Sequence, residues 1–212
     1  MLNKAEIIEI FERFKQENAN PSSELIAPND FTFAVAVLLS AQTTDKAVNK
    51  VTKEFFKVAD TPQKMTKLGI EKFKDFIHPL GFFNNKAKNV MALSEKLINE
   101  YNSELPRNRD ELEKLPGIGR KSANVIANRL FGESTIAVDT HVLRVSKRLG
   151  LSQSTAPLEV EKDLLNVIPK QFHKNASDWI VLHGRYICMA KKPRCNECFL
   201  YDLCETANCS QI

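Results

Sequence analysis

Lys121 and Asp139 are the two residues whose types and setting suggest covalent chemistry. Lys121 is the second residue after the turn Leu115-Pro116-Gly117-Ile118-Gly119, and Asp139 follows it by eighteen positions. Gly117 and Gly119 carry no Cβ, so their N–H groups are open to close approach. The amphipathic helix expected to follow adds unpaired N–H donors and a positive dipole end. Such an element holds a phosphate. An amine beside it is set to attack a carbonyl carbon when neutral, and a carboxylate follows in Asp139. Each part also has a plainer reading. A Gly-x-Gly turn before a helix is common, a first-turn lysine is ordinarily solvated, and Asp139 is well placed as the N-cap of the next helix.

The second constellation is Cys188, Cys195, Cys198 and Cys204, spaced C-x6-C-x2-C-x5-C within seventeen residues. The preceding 187 residues contain no cysteine and no secretory signal is read at the N-terminus, so a disulfide framework is disfavoured. Zinc sites usually show two paired-cysteine knuckles, and here there is one. A 4Fe–4S cluster needs four thiolates and tolerates irregular wrapping. Spacing alone leaves zinc and iron–sulfur both open. Cys209 falls outside the pattern and reads as a free thiol.

Helices must position these groups. Ile7, Ile8, Phe11 and Phe14 recur at helical spacing, as do Val48, Val51 and Phe55, and then Ala87, Val90, Met91, Leu97 and Ile98. Thr61 before Pro62, and Thr155 or Ala156 before Pro157, read as starts. Gly69, Gly81, Gly132 and Gly150 read as ends. Thr135-Ile136-Ala137-Val138 alone looks strand-like and is expected as an extended connector. The fold class is therefore all-α, with about ten helices. Apolar content of 43% and charged content of 26% are those of a globular chain, and a net charge of +4 says little about partners. The longest apolar run, Phe33 to Leu39, falls far short of the roughly twenty residues that span a bilayer and reads as a buried helix. Basic residues gather at Arg144, Lys147 and Arg148 and again at Arg185, Lys191, Lys192 and Arg194.

Taken together, these stretches resemble the endonuclease III family of helix–hairpin–helix DNA glycosylases. Leu115 to Gly119 is similar to its hairpin, and Val138-Asp139-Thr140-His141-Val142 to its aspartate segment. The four cysteines resemble its iron–sulfur loop. Leu39-Ser40-Ala41-Gln42-Thr43-Thr44-Asp45 and Leu182-His183-Gly184-Arg185 extend the similarity to essentially all 212 residues. The resemblance implies two helical domains, a six-helix one over 23–133 and an iron–sulfur domain built from 1–22 and 134–212, with the active site between them.

The same resemblance implies a base excision repair enzyme. It would remove oxidised pyrimidines from damaged double-stranded DNA and cleave the abasic strand by β-elimination. Lys121 would be the nucleophile and Asp139 its catalytic partner. Leu115, Gly117, Gly119 and Arg120 would meet the DNA backbone at the hairpin. Gln42 would enter the duplex where the base is extruded, with Phe82 as the second inserted residue, where relatives often carry Leu. Cys188, Cys195, Cys198 and Cys204 would hold one 4Fe–4S cluster, pinning Lys191, Lys192 and Arg194 in a rigid loop against phosphates. His141 and His183 receive no role. The basic residues after Asp139 become expected phosphate contacts. A monomer in the cytoplasm, at the nucleoid, is expected, without any membrane segment. The adenine-mismatch glycosylases of the same superfamily lack a lysine at the position of Lys121. Non-enzymatic hairpin modules need neither Lys121 nor Asp139.

Overall fold

The computed structural model describes residues 2–21 and 23–209, with the side chains of Asn208 and Cys209 outside the description. Among the described residues there are twelve α-helices and no strand. They are α1 (Lys4–Glu17), α2 (Asp30–Leu39), α3 (Asp45–Phe55), α4 (Pro62–Leu68), α5 (Ile70–Ile77) and α6 (Phe83–Glu100). After these come α7 (Arg109–Glu113), α8 (Arg120–Phe131), α9 (Thr140–Leu149), α10 (Pro157–Val167), α11 (His173–Tyr186) and α12 (Glu205–Cys209). Short 3-10 turns lie at Lys170–Phe172, Cys195–Glu197 and Tyr201–Leu203. The all-α class holds, with more helices than the ten expected because α7 and α12, at five residues each, are too short to show a period. No helix of the described residues is long and apolar enough to cross a membrane.

The chain divides into two compact units, 23–133 and 1–22 with 134–212. In the first, α2 is buried on every side from Phe31 to Leu39 and packs against α3, α6 and α8. Nine consecutive buried residues explain why its sequence shows no polar face. Its start is fixed by a capping box, in which Asn29 Oδ1 accepts from the Thr32 N–H at 2.9 Å and Thr32 Oγ1 from the Asn29 N–H at 2.9 Å. Phe55 and Phe73 stack edge-on, with centroids 5.1 Å apart, within the same core. This unit has seven helical segments where six were expected. Gly69, at φ 82°, ends α4 and starts α5 in one residue, a conformation that side-chain-bearing residues avoid.

In the second unit α1 buries Ile7, Ile10, Phe11 and Phe14, and Ile8 lies at the flank of that face. Phe14 stacks on Trp179 of α11 with centroids 6.3 Å apart, and Phe11 stacks on Phe172. The Trp179 Nε1–H donates to the Asn18 carbonyl at 2.7 Å. The other walls of the core are Val142, Val145 and Leu149 of α9, Val160 and Leu164 of α10, and Ile180 of α11. Of the expected end signals, Gly69, Gly132 and Gly150 close helices. Gly81 lies three residues beyond the cap of α5, in the turn leading to Phe82. Thr61 caps α4 through the Lys64 N–H at 3.2 Å, whereas Ala156 precedes Pro157 with no side-chain cap.

Candidate nucleic-acid interface and cysteine cavity

The hairpin is built from both of its helices inward. Asn108 Oδ1 caps α7 by accepting from the Asp110 and Glu111 N–H groups at 2.8 and 3.3 Å. The Leu115 N–H then donates to Leu112 O, and the Ile118 N–H to Leu115 O, both at 3.1 Å. Leu115 is 2% exposed and Ile118 is buried beside it. Leu115 therefore offers no side chain and no free N–H to a ligand, and its part is to anchor the turn in the core. Gly117 is at φ 75°, and a Cβ there would stand 2.7 Å from Asn89 Cβ and 2.8 Å from Leu38 Cδ1. Only glycine meets both conditions. Gly119 differs: its φ of −88° suits any residue, and a Cβ would meet open space.

What Gly119 leaves is access. As the N-cap of α8 it provides no side-chain acceptor, so nothing from that position covers the helix start. Neither the Gly117 nor the Gly119 N–H has a hydrogen-bond acceptor among the described residues. Lys121, in the first turn of α8, is exposed and forms no ion pair among the described residues.

The two turns expected to enter a duplex belong to the same unit and share a backbone peculiarity. Among the described residues, five other than glycine have positive φ, and Gln42 at 54° and Phe82 at 58° are two of them. Left-handed backbone at such residues is locally unfavourable and concentrates at functional sites. Phe82 is 65% exposed, while its neighbour Phe83 packs against the core. The Phe-Phe pair is therefore divided between two environments. Gln42 is exposed in the turn between α2 and α3, which is closed by the Thr43 N–H donating to Ser40 O at 3.0 Å.

Asp139 lies in the other unit, as the N-cap of α9. Its Oδ1 accepts from the His141 and Val142 N–H groups at 2.8 and 2.9 Å, and its Oδ2 is 3.3 Å from His141 Nδ1. The capping role is therefore real, and about a quarter of the side chain remains exposed. The connector 134–139 has no helix or strand, and its last residue, Asp139, has extended backbone. Arg144 and Arg148, one turn apart on α9, depart from their expected contact with phosphates. Arg144 donates to Gly184 O at 2.9 Å and Cys188 O at 3.2 Å. Arg148 donates to Met189 O at 2.8 Å and to Cys188 Sγ at 3.3 Å. Their guanidinium forks hold the start of the cysteine loop, because its carbonyls have no helix or strand to bond. Their i,i+4 spacing ahead of a cysteine loop was the one available signal.

The four cysteines converge. Cys188, Cys195, Cys198 and Cys204 line one cavity of about 320 Å3, together with Arg148, His183 and Tyr201. All four are free thiols. Among the described residues no three His, Cys, Asp or Glu side chains stand close enough to hold a single ion. Thiols spread around a cavity suit a polynuclear centre better than one zinc. Burial pushes the Cys198 thiol up to about 11 and raises that of Cys204. Their thiolate forms thus need a positive partner, which iron supplies. Burial also lowers His183 to about 4, and its neutral ring places Nε2 3.5 Å from Cys198 Sγ. Lys191, Lys192 and Arg194 are exposed on the loop, with Lys192 at φ 52°.

Residues 35–170 match the HhH-GPD superfamily base excision DNA repair protein family, and residues 188–204 the iron–sulfur binding domain of endonuclease III. The endonuclease III of Rickettsia felis is 50% identical, over 97% of both chains. The chain belongs to the endonuclease III family. The Escherichia coli K12 endonuclease III is 45% identical, over 96% of this chain and 97% of its own. A solved endonuclease III trapped as a covalent intermediate with DNA superposes with a TM-score of 0.91. It shares 43% identity, and 98% of each chain is covered. As a member of the endonuclease III family this protein is a base excision repair enzyme, a DNA glycosylase and abasic-site lyase. Its cofactor is one 4Fe–4S cluster.

Proposed function

We propose that this enzyme excises oxidised, ring-saturated pyrimidines from double-stranded DNA and cleaves the abasic strand through a Schiff base on Lys121. The supporting observation is the placement of Lys121, exposed in the first turn of α8 directly after the open glycine turn. Gly117, Gly119 and Arg120 hold the phosphates flanking the lesion, which sets the amine's register along the strand. Extruding the damaged nucleotide costs a few kcal/mol, less where damage has weakened stacking. Gln42 and Phe82 fill the vacated space, one offering an amide to the orphaned base and the other an aromatic face.

The Lys121 amine attacks C1′, and the base leaves with the glycosidic electron pair. The amine sheds a proton, O4′ takes one up as the C1′–O4′ bond breaks, and the sugar ring opens to the iminium, which acidifies the C2′ proton. Loss of that proton expels the 3′ phosphate and breaks the strand. Asp139 stabilises the positive charge developing at the sugar and assists the proton transfers. Cys188, Cys195, Cys198 and Cys204 hold the 4Fe–4S cluster. When bound, it cross-links the loop so that Lys191, Lys192 and Arg194 face phosphates in a fixed arrangement. The protein acts as a monomer in the cytoplasm, at the nucleoid where its substrate lies.

Borohydride reduction on abasic-site duplex tests the central step. Wild-type protein should be trapped covalently, and Lys121→Gln should give no adduct and no strand scission while still binding the duplex. Normal trapping in that variant would place the nucleophile elsewhere.

A further inference from the structure

Lys86 is a buried cation that the mechanism above does not use. It lies in the first turn of α6 and is 5% exposed. No carboxylate among the described residues pairs with it, and burial holds its ammonium below the ordinary lysine range. Burying a charge with so little compensation is costly, and an apolar side chain of similar volume would be neutral or better for stability. Features that cost locally tend to sit where function needs them.

Its side-chain hydrogen bond points to that need. The Lys86 Nζ donates to Thr43 Oγ1 at 2.5 Å, and Thr43 directly follows Gln42. The Lys86 backbone N–H makes the first bond of α6, donating to Phe82 O at 3.0 Å as any residue there would, so the side chain ties Thr43 to the helix start that carries Phe82. One side chain thus links two of the turns that carry left-handed backbone, reaching the Gln42 turn from the start of α6. One turn further along α6, Asn89 Cβ lies under Gly117 of the hairpin. The first two turns of α6 therefore underlie all three elements assigned to DNA in this unit.

We infer that Lys86 is a positioning residue that locks the Gln42 and Phe82 turns into one rigid insertion unit. This rests on the proposed roles of Gln42 and Phe82. Without the Nζ to Oγ1 bond, the Gln42 turn keeps its residues but loses its register against Phe82. The two side chains then no longer enter the duplex together. Binding to intact duplex is unaffected, because Lys86 is too deeply buried to meet a phosphate.

The test uses the iron–sulfur holoenzyme and a duplex with thymine glycol opposite 2-aminopurine, whose fluorescence rises when it unstacks. Gln42→Ala and Phe82→Ala set the baseline. Lys86→Met and Thr43→Val should each slow single-turnover excision about tenfold, as expected for a modest misplacement of a positioned group. Each should also damp the fluorescence rise. The thermal midpoint should not fall, and affinity for intact duplex should be unchanged. The double variant should be no worse than the more severe single one, since both remove the same bond. If Gln42→Ala and Phe82→Ala lose the fluorescence rise while Lys86→Met and Thr43→Val keep it, the inference about Lys86 is wrong and the insertion reading stands. If the baseline variants match wild type, the insertion reading itself fails, and this inference with it. Should Lys86→Met not fold, Thr43→Val decides alone.

Discussion

At the scale of single residues, the structure separates roles that share one side chain. Asp139 caps α9 with Oδ1, and asparagine keeps that oxygen and is an equally good cap. Asp139→Asn should therefore leave the thermal midpoint nearly unchanged. It should slow single-turnover excision about a hundredfold, the usual cost of removing one charge-stabilising group. A wild-type rate would reduce Asp139 to a cap. The hairpin glycines divide in the opposite sense. Gly117→Ala meets Asn89 and Leu38 at a φ of 75° and should destabilise by more than about 1 kcal/mol, read as a lowered midpoint. Gly119→Ala should keep the midpoint, because its Cβ would face open space at an ordinary φ. It should weaken damaged and intact duplex alike, since that space is where a phosphate would come. A fall in midpoint for Gly119→Ala, with binding intact, would mean that the open turn meets no backbone.

At the scale of elements, α9 connects chemistry to cofactor. Its N-cap is Asp139, and one of its faces presents Arg144 and Arg148 to the carbonyls of the cysteine loop. Arg148→Ala would leave the Met189 carbonyl and the Cys188 sulfur without this donor. Such unsatisfied groups cost about 1–3 kcal/mol each where buried. The variant should lose the broad absorbance near about 400 nm faster than wild type on mild heating, reporting release of about four irons per chain. Its salt dependence of DNA binding should not change, because the guanidinium is spent on carbonyls. A reduced salt slope with full retention of colour would reverse the assignment and return Arg148 to the phosphates.

At the scale of the whole molecule, distant parts of the chain are tied within one unit. Arg13 of α1 donates to Asp202 Oδ1 at 2.6 Å and to Phe199 O at 2.8 Å, joining the first helix to the cysteine loop. The loop that carries Lys191, Lys192 and Arg194 is thus braced by α1, by α9 and by the cluster. If those three residues meet phosphates, neutralising all of them should lower the salt slope by roughly one unit per lost contact. Damaged and undamaged duplex should weaken by a similar factor, since phosphate contacts carry no sequence information. An unchanged slope in the triple variant would make the loop's charges a solvated face.

Chemistry that depends on residue type and short spacing is legible in the sequence by itself. The Lys121 hairpin, the Asp139 segment and the C-x6-C-x2-C-x5-C loop can be read that way because each is local in the chain. So can the all-α class, because amphipathic periods survive wherever one face of a helix meets solvent. Only tertiary packing decided the rest. Phe82 and Phe83 are the same residue type, yet one is exposed and the other packs on the core, set by the backbone at the start of α6. Leu115 reads as part of an interface and is an anchor. Arg144 and Arg148 read as phosphate contacts and are clamps, because their acceptors lie about forty residues away. Lys86 has the sequence setting of any surface lysine. Its burial and its grip on Thr43, forty-three residues earlier, exist only once α6 packs beneath the turn after α2. A sequence shows which groups a chain carries, but burial and long-range partners are properties of the packed fold.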